Sequence, residues 1–257
     1  MRKAGSNMVL MPDPSSLKLW KQGLVRVPDF VWERIELRTL ILAENRLKEV
    51  SEQIGLLKNL RTLDLGHNQL INVPQSLGDL EGLTDFLYLH VNRLTSLPLS
   101  MGRLTRLRYL NMSENAFRAL PECICRMTGL IELRTSDNQL ATLPDSICQL
   151  SRLRELHLRN NQLTSLPRSI GELTELRHLD LRSNPLADLP AGIAYLPKLE
   201  KLDLRWVDTF GHQIGWLSSR SGVVWSIDDH GFAPTQENRV QTLIRKDLSE
   251  FDSIQGA

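Results

Sequence analysis

Aromatic residues make up only 5% of this chain, cysteines number three, and opposite charges nearly cancel at a net +1. Each scarcity excludes something. Cys123, Cys125 and Cys148 are an odd set and far too few for a disulfide scaffold, which points to a reducing compartment. A balanced charge gives no overall pull toward nucleic acid or an anionic membrane, so neither is expected as a partner. No apolar run approaches the ~20 residues of a spanning helix. Near the N-terminus the only apolar stretch, Met8 to Met11, is shorter than the roughly 7–15 residues of a secretory signal core. Signatures of chemistry are missing as well: there is no Gly-rich phosphate loop, no HExxH, no GxSxG and no paired CxxC. Catalysis, a cofactor and a metal site are therefore not expected. A cytoplasmic location is expected, although an effector exported by an unstructured signal would read the same way.

What the chain has in quantity is leucine at a fixed period. Segments such as LRTLDLGHNQL, LRELHLRNNQL and LRHLDLRSNPL share an asparagine, which falls at Asn45, Asn68, Asn92, Asn115, Asn138, Asn161 and Asn184. The steps between them are 23, 24, 23, 23, 23 and 23 residues. One step back reaches Gln22 in LKLWKQGLVRVP, and one step forward reaches Val207 in LEKLDLRWVDTF, so nine turns are visible. The alternating LxL predicts a strand with one buried face. The proline column (Pro74, Pro98, Pro121, Pro144, Pro167, Pro190) then opens an outer arc, where spacing such as Ile170, Leu173 and Leu176 suits a short helix or 3₁₀ segment. One such unit cannot bury its own leucines, but stacked neighbours make a continuous core. A buried asparagine amide has two donors and two acceptor sites, so the seven asparagines are expected to form a structural ladder tying backbone groups of adjacent turns. Gln22 and Val207 break it where the stack runs out of neighbours.

The unit LxxLxLxxNxLxxLPxxIxxLxx resembles the leucine-rich repeat, in the 23-residue class related to the Ras-group proteins of plants, animals and many bacteria, over about residues 15–206. That resemblance implies an α/β solenoid: a horseshoe with a parallel concave β-sheet and short helical or 3₁₀ convex segments. It also implies a scaffold or ligand-binding role toward a protein or peptide, and a monomer is expected. Residues 1–14 are expected to be a flexible leader, and 207–257 a C-terminal cap and divergent tail. Within that tail GWLSSRSGVVW suits one more irregular turn, with Trp216, Val223, Val224 and Trp225 as a lid. Residues 235–251 carry a weak helical pattern through Val240, Leu243, Ile244, Leu248 and Phe251.

Residues flanking the LxL leucines should face the concave side. Two groups there are candidates for partner binding. The first is aromatic: Phe86, Tyr88, His90 and Tyr109 in the middle turns, where the alternative is that they fill a tight inner curve. The second is the ladder Arg159, Arg182 and Arg205, which either meets an acidic partner segment or is neutralised by its own neighbours. Asn111, Arg134, His157, His178, Asp180 and Asp203 lie between or beside them and complete the candidate surface. His67, His90, His157 and His178 invite a metal reading, and His157 and His178 occupy adjacent turns near Asp180 and Glu155, but no supporting shell is legible. The DDH at Asp228 to His230 is shorter than any recognisable ligand spacing. Cys125 and Cys148 share a column with Gly55, Gly78, Gly102, Gly171 and Ala194, which marks them as small packing residues. The single 24-residue step places one extra residue in LTDF, between Leu83 and Leu87, as a β-bulge or as a drifted loop.

Together these features point to a non-enzymatic module that binds a protein or peptide in its concavity. The alternative is the substrate-recognition part of a secreted effector or signalling regulator, ubiquitin-ligase-like or kinase-associated. Residues 207–257 contain no cysteine, which argues against a cysteine-based ligase.

Overall fold

The LxL alternation becomes a three-residue strand in every turn. The computed structural model describes residues 13–207 and 224–226. In chain order the strands are β1 Ser16–Lys18, β2 Thr39–Ile41, β3 Thr62–Asp64, β4 Phe86–Tyr88, β5 Tyr109–Asn111, β6 Glu132–Arg134, β7 Glu155–His157, β8 His178–Asp180, β9 Lys201–Asp203 and β10 Val224–Ser226. Each pairs in parallel with the next, in one sheet whose spatial order is its sequence order. The sheet thus runs one strand past the nine turns visible in the sequence. Val224 pairs with Lys201, the same 23-residue step as before. Only the backbone pairing of β10 is described. The expectations placed on the leader before Asp13, on the side chains of Trp216, Val223, Val224 and Trp225, on residues 228–230 and on the 235–251 pattern lie outside the described residues.

The chain returns along the outside through short helical segments. Among the described residues six are 3₁₀ helices, including Gln75–Asp79, Leu99–Arg103 and Arg168–Glu172, and two are single α-turns, Phe30–Glu33 and Glu122–Cys125. From Pro74 onward a proline precedes each one, in extended or near-extended backbone that has no helical donor to lose. Among the described residues no helix is long and apolar enough to cross a membrane.

Between sheet and arc lies one continuous apolar core. From β2 inward the leucine at the centre of the strand (Leu40, Leu63, Leu87, Leu110, Leu133, Leu156) is fully buried, as are Ile54, Leu77, Ile124, Ile147 and Ile170 on the outer arc, while Leu17 at the open end is partly buried. Burying each such side chain contributes about 1.5–3 kcal/mol, but only when both neighbouring turns are present to cover it.

The residue before each asparagine position adopts left-handed backbone, with φ between 51° and 57° from Lys21 through Trp206. That reversal carries the chain out of the strand and folds the asparagine beneath it. Asn161 is representative. Its Oδ1 accepts from the Leu140 amide of the preceding turn (3.0 Å), and its Nδ2 donates to Thr135 O (3.0 Å), Leu158 O (2.9 Å) and Arg159 O (3.3 Å). Asn68, Asn92, Asn115, Asn138 and Asn184 repeat this pattern, and Asn45 bonds back to Gln22, Leu24 and Leu19 of the first turn. Every asparagine therefore ties its turn to the one before it.

The extra residue of the 24-residue step does not interrupt the ladder: Thr62, Leu63 and Asp64 pair without a break with Phe86, Leu87 and Tyr88. It is absorbed ahead of β4 around Thr84, whose carbonyl takes the Arg108 amide (3.1 Å) while Asp85 O takes that of Tyr109 (3.2 Å). A turn has spare backbone groups to accommodate an insertion, whereas a three-residue strand packed on both edges does not.

Candidate functional site

Parallel pairing in strict register converts sequence columns into rows across the sheet. One row runs Thr62, Phe86, Tyr109, Glu132, Glu155, His178, Lys201, and the next runs Asp64, Tyr88, Asn111, Arg134, His157, Asp180, Asp203. Successive strands are ~4.8 Å apart, so neighbours within a row touch. The leucines between these residues point into the core, which leaves both rows on the inner face.

On β4 and β5 the aromatic side chains form one patch. Phe86 stacks on Tyr88 with centroids 6.0 Å apart, Tyr109 lies 5.5 Å from Phe86 and 5.2 Å from Tyr88, and His90 meets Tyr88 edge-on at 5.9 Å. The patch continues to His67, whose ring is 4.9 Å from that of His90. It sits on the sheet and takes no part in the leucine core. Phe86 remains 43% exposed. Burial pushes the Tyr109 hydroxyl up to about 12, so it stays protonated as a hydrogen-bond donor. Gly66 makes room for His90: a Cβ there would lie 2.4 Å from the ring's Cε1. Beside them, burial raises the Asp64 carboxyl above its ordinary range despite a bond from the Gly66 amide and the nearby His90 and His67. His90 Nδ1 is buried with no hydrogen-bond partner among the described residues.

Toward β6–β9 the face becomes an alternation of acid and base. Arg134 bonds Glu132 and lies 5.9 Å over the Tyr109 ring. His157 Nε2 is 3.2 Å from Glu155 and 3.7 Å from Glu132, while His178 lies 3.8 Å from Glu155 and 3.6 Å from Glu200. The arginine ladder is internally paired. Arg159 meets Asp137 at 3.4 Å, Arg182 clamps Asp180 through two nitrogens and reaches Asp203 at 3.4 Å, and Arg205 clamps Asp203 at 2.9 and 2.8 Å. Asp203 is buried beneath the two arginines. The self-neutralised alternative for this ladder is the arrangement the structure contains.

The register places Phe86, Tyr88, Tyr109, Asn111, Arg134, His157, His178, Asp180 and Asp203 in the two rows; ring contacts add His90 to the aromatic patch, ion pairs add Arg182 and Arg205 to the charged one, Arg159 pairs with Asp137, and Asn111 accepts from the Ser113 amide. Sequence reasoning noted Glu155 beside His157 and His178 without making it a site residue, and passed over Glu132, Glu200, Asp137, Asp64 and Gly66 as candidates. The signal was available for Glu132 and Glu155, which stand one 23-residue step apart in a single column. Of the two cysteines expected as packing residues, Cys125 is buried and Cys148 half-buried; Cys123 is buried too, and burial pushes its thiol up to about 11, away from a reactive thiolate.

Comparison with known proteins agrees with this architecture. A family model described as leucine rich repeat matches residues 35–87, 128–186 and 151–206. A leucine-rich repeat protein of Leptospira interrogans is 26% identical with a TM-score of 0.68, the match covering 89% of this chain and 71% of that one. The leucine-rich repeat domain of the type III effector XopL is 25% identical with a TM-score of 0.74, covering 86% and 78% of the two chains. The ectodomain of the Arabidopsis thaliana receptor kinase GASSHO1/SCHENGEN3, solved in complex with Casparian strip integrity factor 2, is 29% identical with a TM-score of 0.71. That match covers 82% of this chain but spans only 26% of the receptor ectodomain. No curated protein sequence matches the chain significantly.

Proposed function

Since the chain belongs to the leucine-rich repeat family, we propose that it is a non-enzymatic interaction module holding a protein or peptide on the inner face of its sheet. The observation that carries this reading is the Phe86, Tyr88 and Tyr109 patch. Three rings lie together on a rigid face, outside the core, with Phe86 43% exposed. Large aromatic groups cost solubility when uncovered and supply most of the energy of interfaces that cover them. The acid–base alternation beside the patch favours a polypeptide over nucleic acid, which would need a stripe of unopposed cations. A solved receptor of the same fold carries a ligand in its complex, which is in keeping with a binding role. Likeness to the type III effector domain supports a second form of the same proposal, in which the module selects a target as the recognition part of an effector.

The test is affinity capture with the wild-type chain and a Phe86→Ala/Tyr88→Ala/Tyr109→Ala variant, whose leucine core is untouched. Loss of one hot-spot ring costs about 2 kcal/mol or more, so the variant should lose its specific partners. Equal capture by both proteins would refute the aromatic anchor. Arg182 is unsuited to such a test because replacing it strands Asp180 and Asp203, which would confuse binding with stability.

A further inference from the structure

We infer that Glu132, Glu155 and His157, joined by His178, form a divalent-cation site on the inner face whose preferred occupant is zinc. The parallel ladder sets its backbone: Glu132, Glu155 and His178 are consecutive partners in one row, and His157 follows in the next. One donor atom from each of Glu132, Glu155 and His157 lies within 4.8 Å of the other two. His157 Nε2 stands 3.2 Å from Glu155 Oε2 and 3.7 Å from Glu132 Oε1, and His178 Nδ1 is 3.8 Å from the same Glu155 oxygen. Ligands bound about 2.0–2.1 Å from a tetrahedral zinc are themselves about 3.3–3.4 Å apart. The two His157 distances are within a few tenths of an ångström of that spacing, whereas His178, which also lies 3.6 Å from Glu200, has to turn its ring toward the other donors to complete the set.

Two carboxylates and two imidazoles make a donor set suited to zinc, whereas calcium and magnesium favour oxygen alone. Charge points the same way. Glu132 and Glu155 are direct neighbours in the ladder, and their repulsion is only partly offset by Arg134, which bonds the same Glu132 oxygen. A dication would have to displace Arg134 from that oxygen. The guanidinium lies 5.9 Å over the Tyr109 ring, a contact separate from its bond to Glu132. The expectation from sequence was that no metal site exists, with His157 and His178 near Glu155 and Asp180 as the nearest approach to one; the row adds Glu132 to that group.

The experiment is calorimetric titration of the tag-free full chain with ZnCl₂, with CaCl₂ and MgCl₂ run alongside. One equivalent of zinc is expected to bind, with calcium and magnesium far weaker. Glu155→Gln and His157→Gln, both at the half-buried sheet surface, should each weaken binding about tenfold or more while leaving the circular dichroism spectrum unchanged. Arg134→Ala should tighten it by removing the competitor. On the unaltered chain, zinc should shift the His157 and His178 ring resonances, which keeps the test valid even if a variant folds poorly. The proposal is overturned by no zinc binding, by unshifted His157 and His178 rings, by calcium binding as well as zinc, or by undiminished binding in a folded Glu155→Gln/His157→Gln double variant, which would place the metal elsewhere.

Discussion

Replacing Asn161 with alanine removes four hydrogen bonds, two of which join its turn to the preceding one. The Leu140 amide, packed under a fully buried leucine, loses its acceptor, and the carbonyls of Thr135 and Leu158 each lose a well-formed donor. An orphaned buried donor costs about 1–3 kcal/mol and each lost carbonyl bond about 1 kcal/mol, giving ~3–5 kcal/mol in all. Asn161 is 6% exposed, so water cannot take the place of the amide. Asn92 makes the same bonds at a more exposed position, where water can partly substitute, and its replacement should cost about 1–2 kcal/mol. Urea unfolding followed by circular dichroism measures both, compared at equal slope. Should Asn161→Ala cost less than about 1 kcal/mol, or no more than Asn92→Ala, the argument that buried backbone satisfaction holds the turns together fails.

The remaining predictions concern strain and charge. Val91 holds a left-handed φ of 51° that a β-branched side chain disfavours, and it is only half-buried. Val91→Asn should raise stability by about 1 kcal/mol in the same urea assay, because asparagine tolerates that conformation. Asp64 and Asp180 should respond to pH with opposite signs. Burial raises the folded Asp64 carboxyl, so its contribution is full below the unfolded carboxylate range and is lost as pH rises through the folded value. Asp64→Asn should therefore stabilise the protein at neutral pH and lose that advantage in acid. Burial also opposes ionisation at Asp180, but the bonds from Arg182 outweigh it and hold the folded carboxyl low. Its contribution is present above the unfolded range and is lost as pH falls through the folded value, so Asp180→Asn should destabilise at neutral pH and converge with wild type in acid. Urea midpoints from about pH 3 to pH 7 cover both unfolded carboxylate ranges and decide the two cases. Gly66→Ala should push the His90 ring aside, visible as a shift of its ring resonances without loss of the fold.

A solenoid is an unusually legible fold, because each turn contacts only its neighbours and repeats their solution. The seven asparagines and the LxL pairs specified the strands, their register, the buried face and the outer arc, since a fixed 23-residue period admits a single stacked arrangement. That register also put Phe86, Tyr88 and Tyr109 side by side before any coordinates were known. What the period does not carry is how side chains choose among partners once they share a face. Arg182 could meet solvent, a ligand or Asp180, and only the geometry of β8 and β9 shows it clamping one aspartate and reaching a second, buried one. Glu132 and Glu155 share a column in the sequence, but only the folded sheet shows His157 between their oxygens. The sequence located the inserted residue in LTDF and expected one more turn in GWLSSRSGVVW, but only the structure shows the insertion leaving the strand ladder unbroken and Val224 pairing with Lys201. Local patterns determine which way a residue faces, and three-dimensional proximity determines what it meets there.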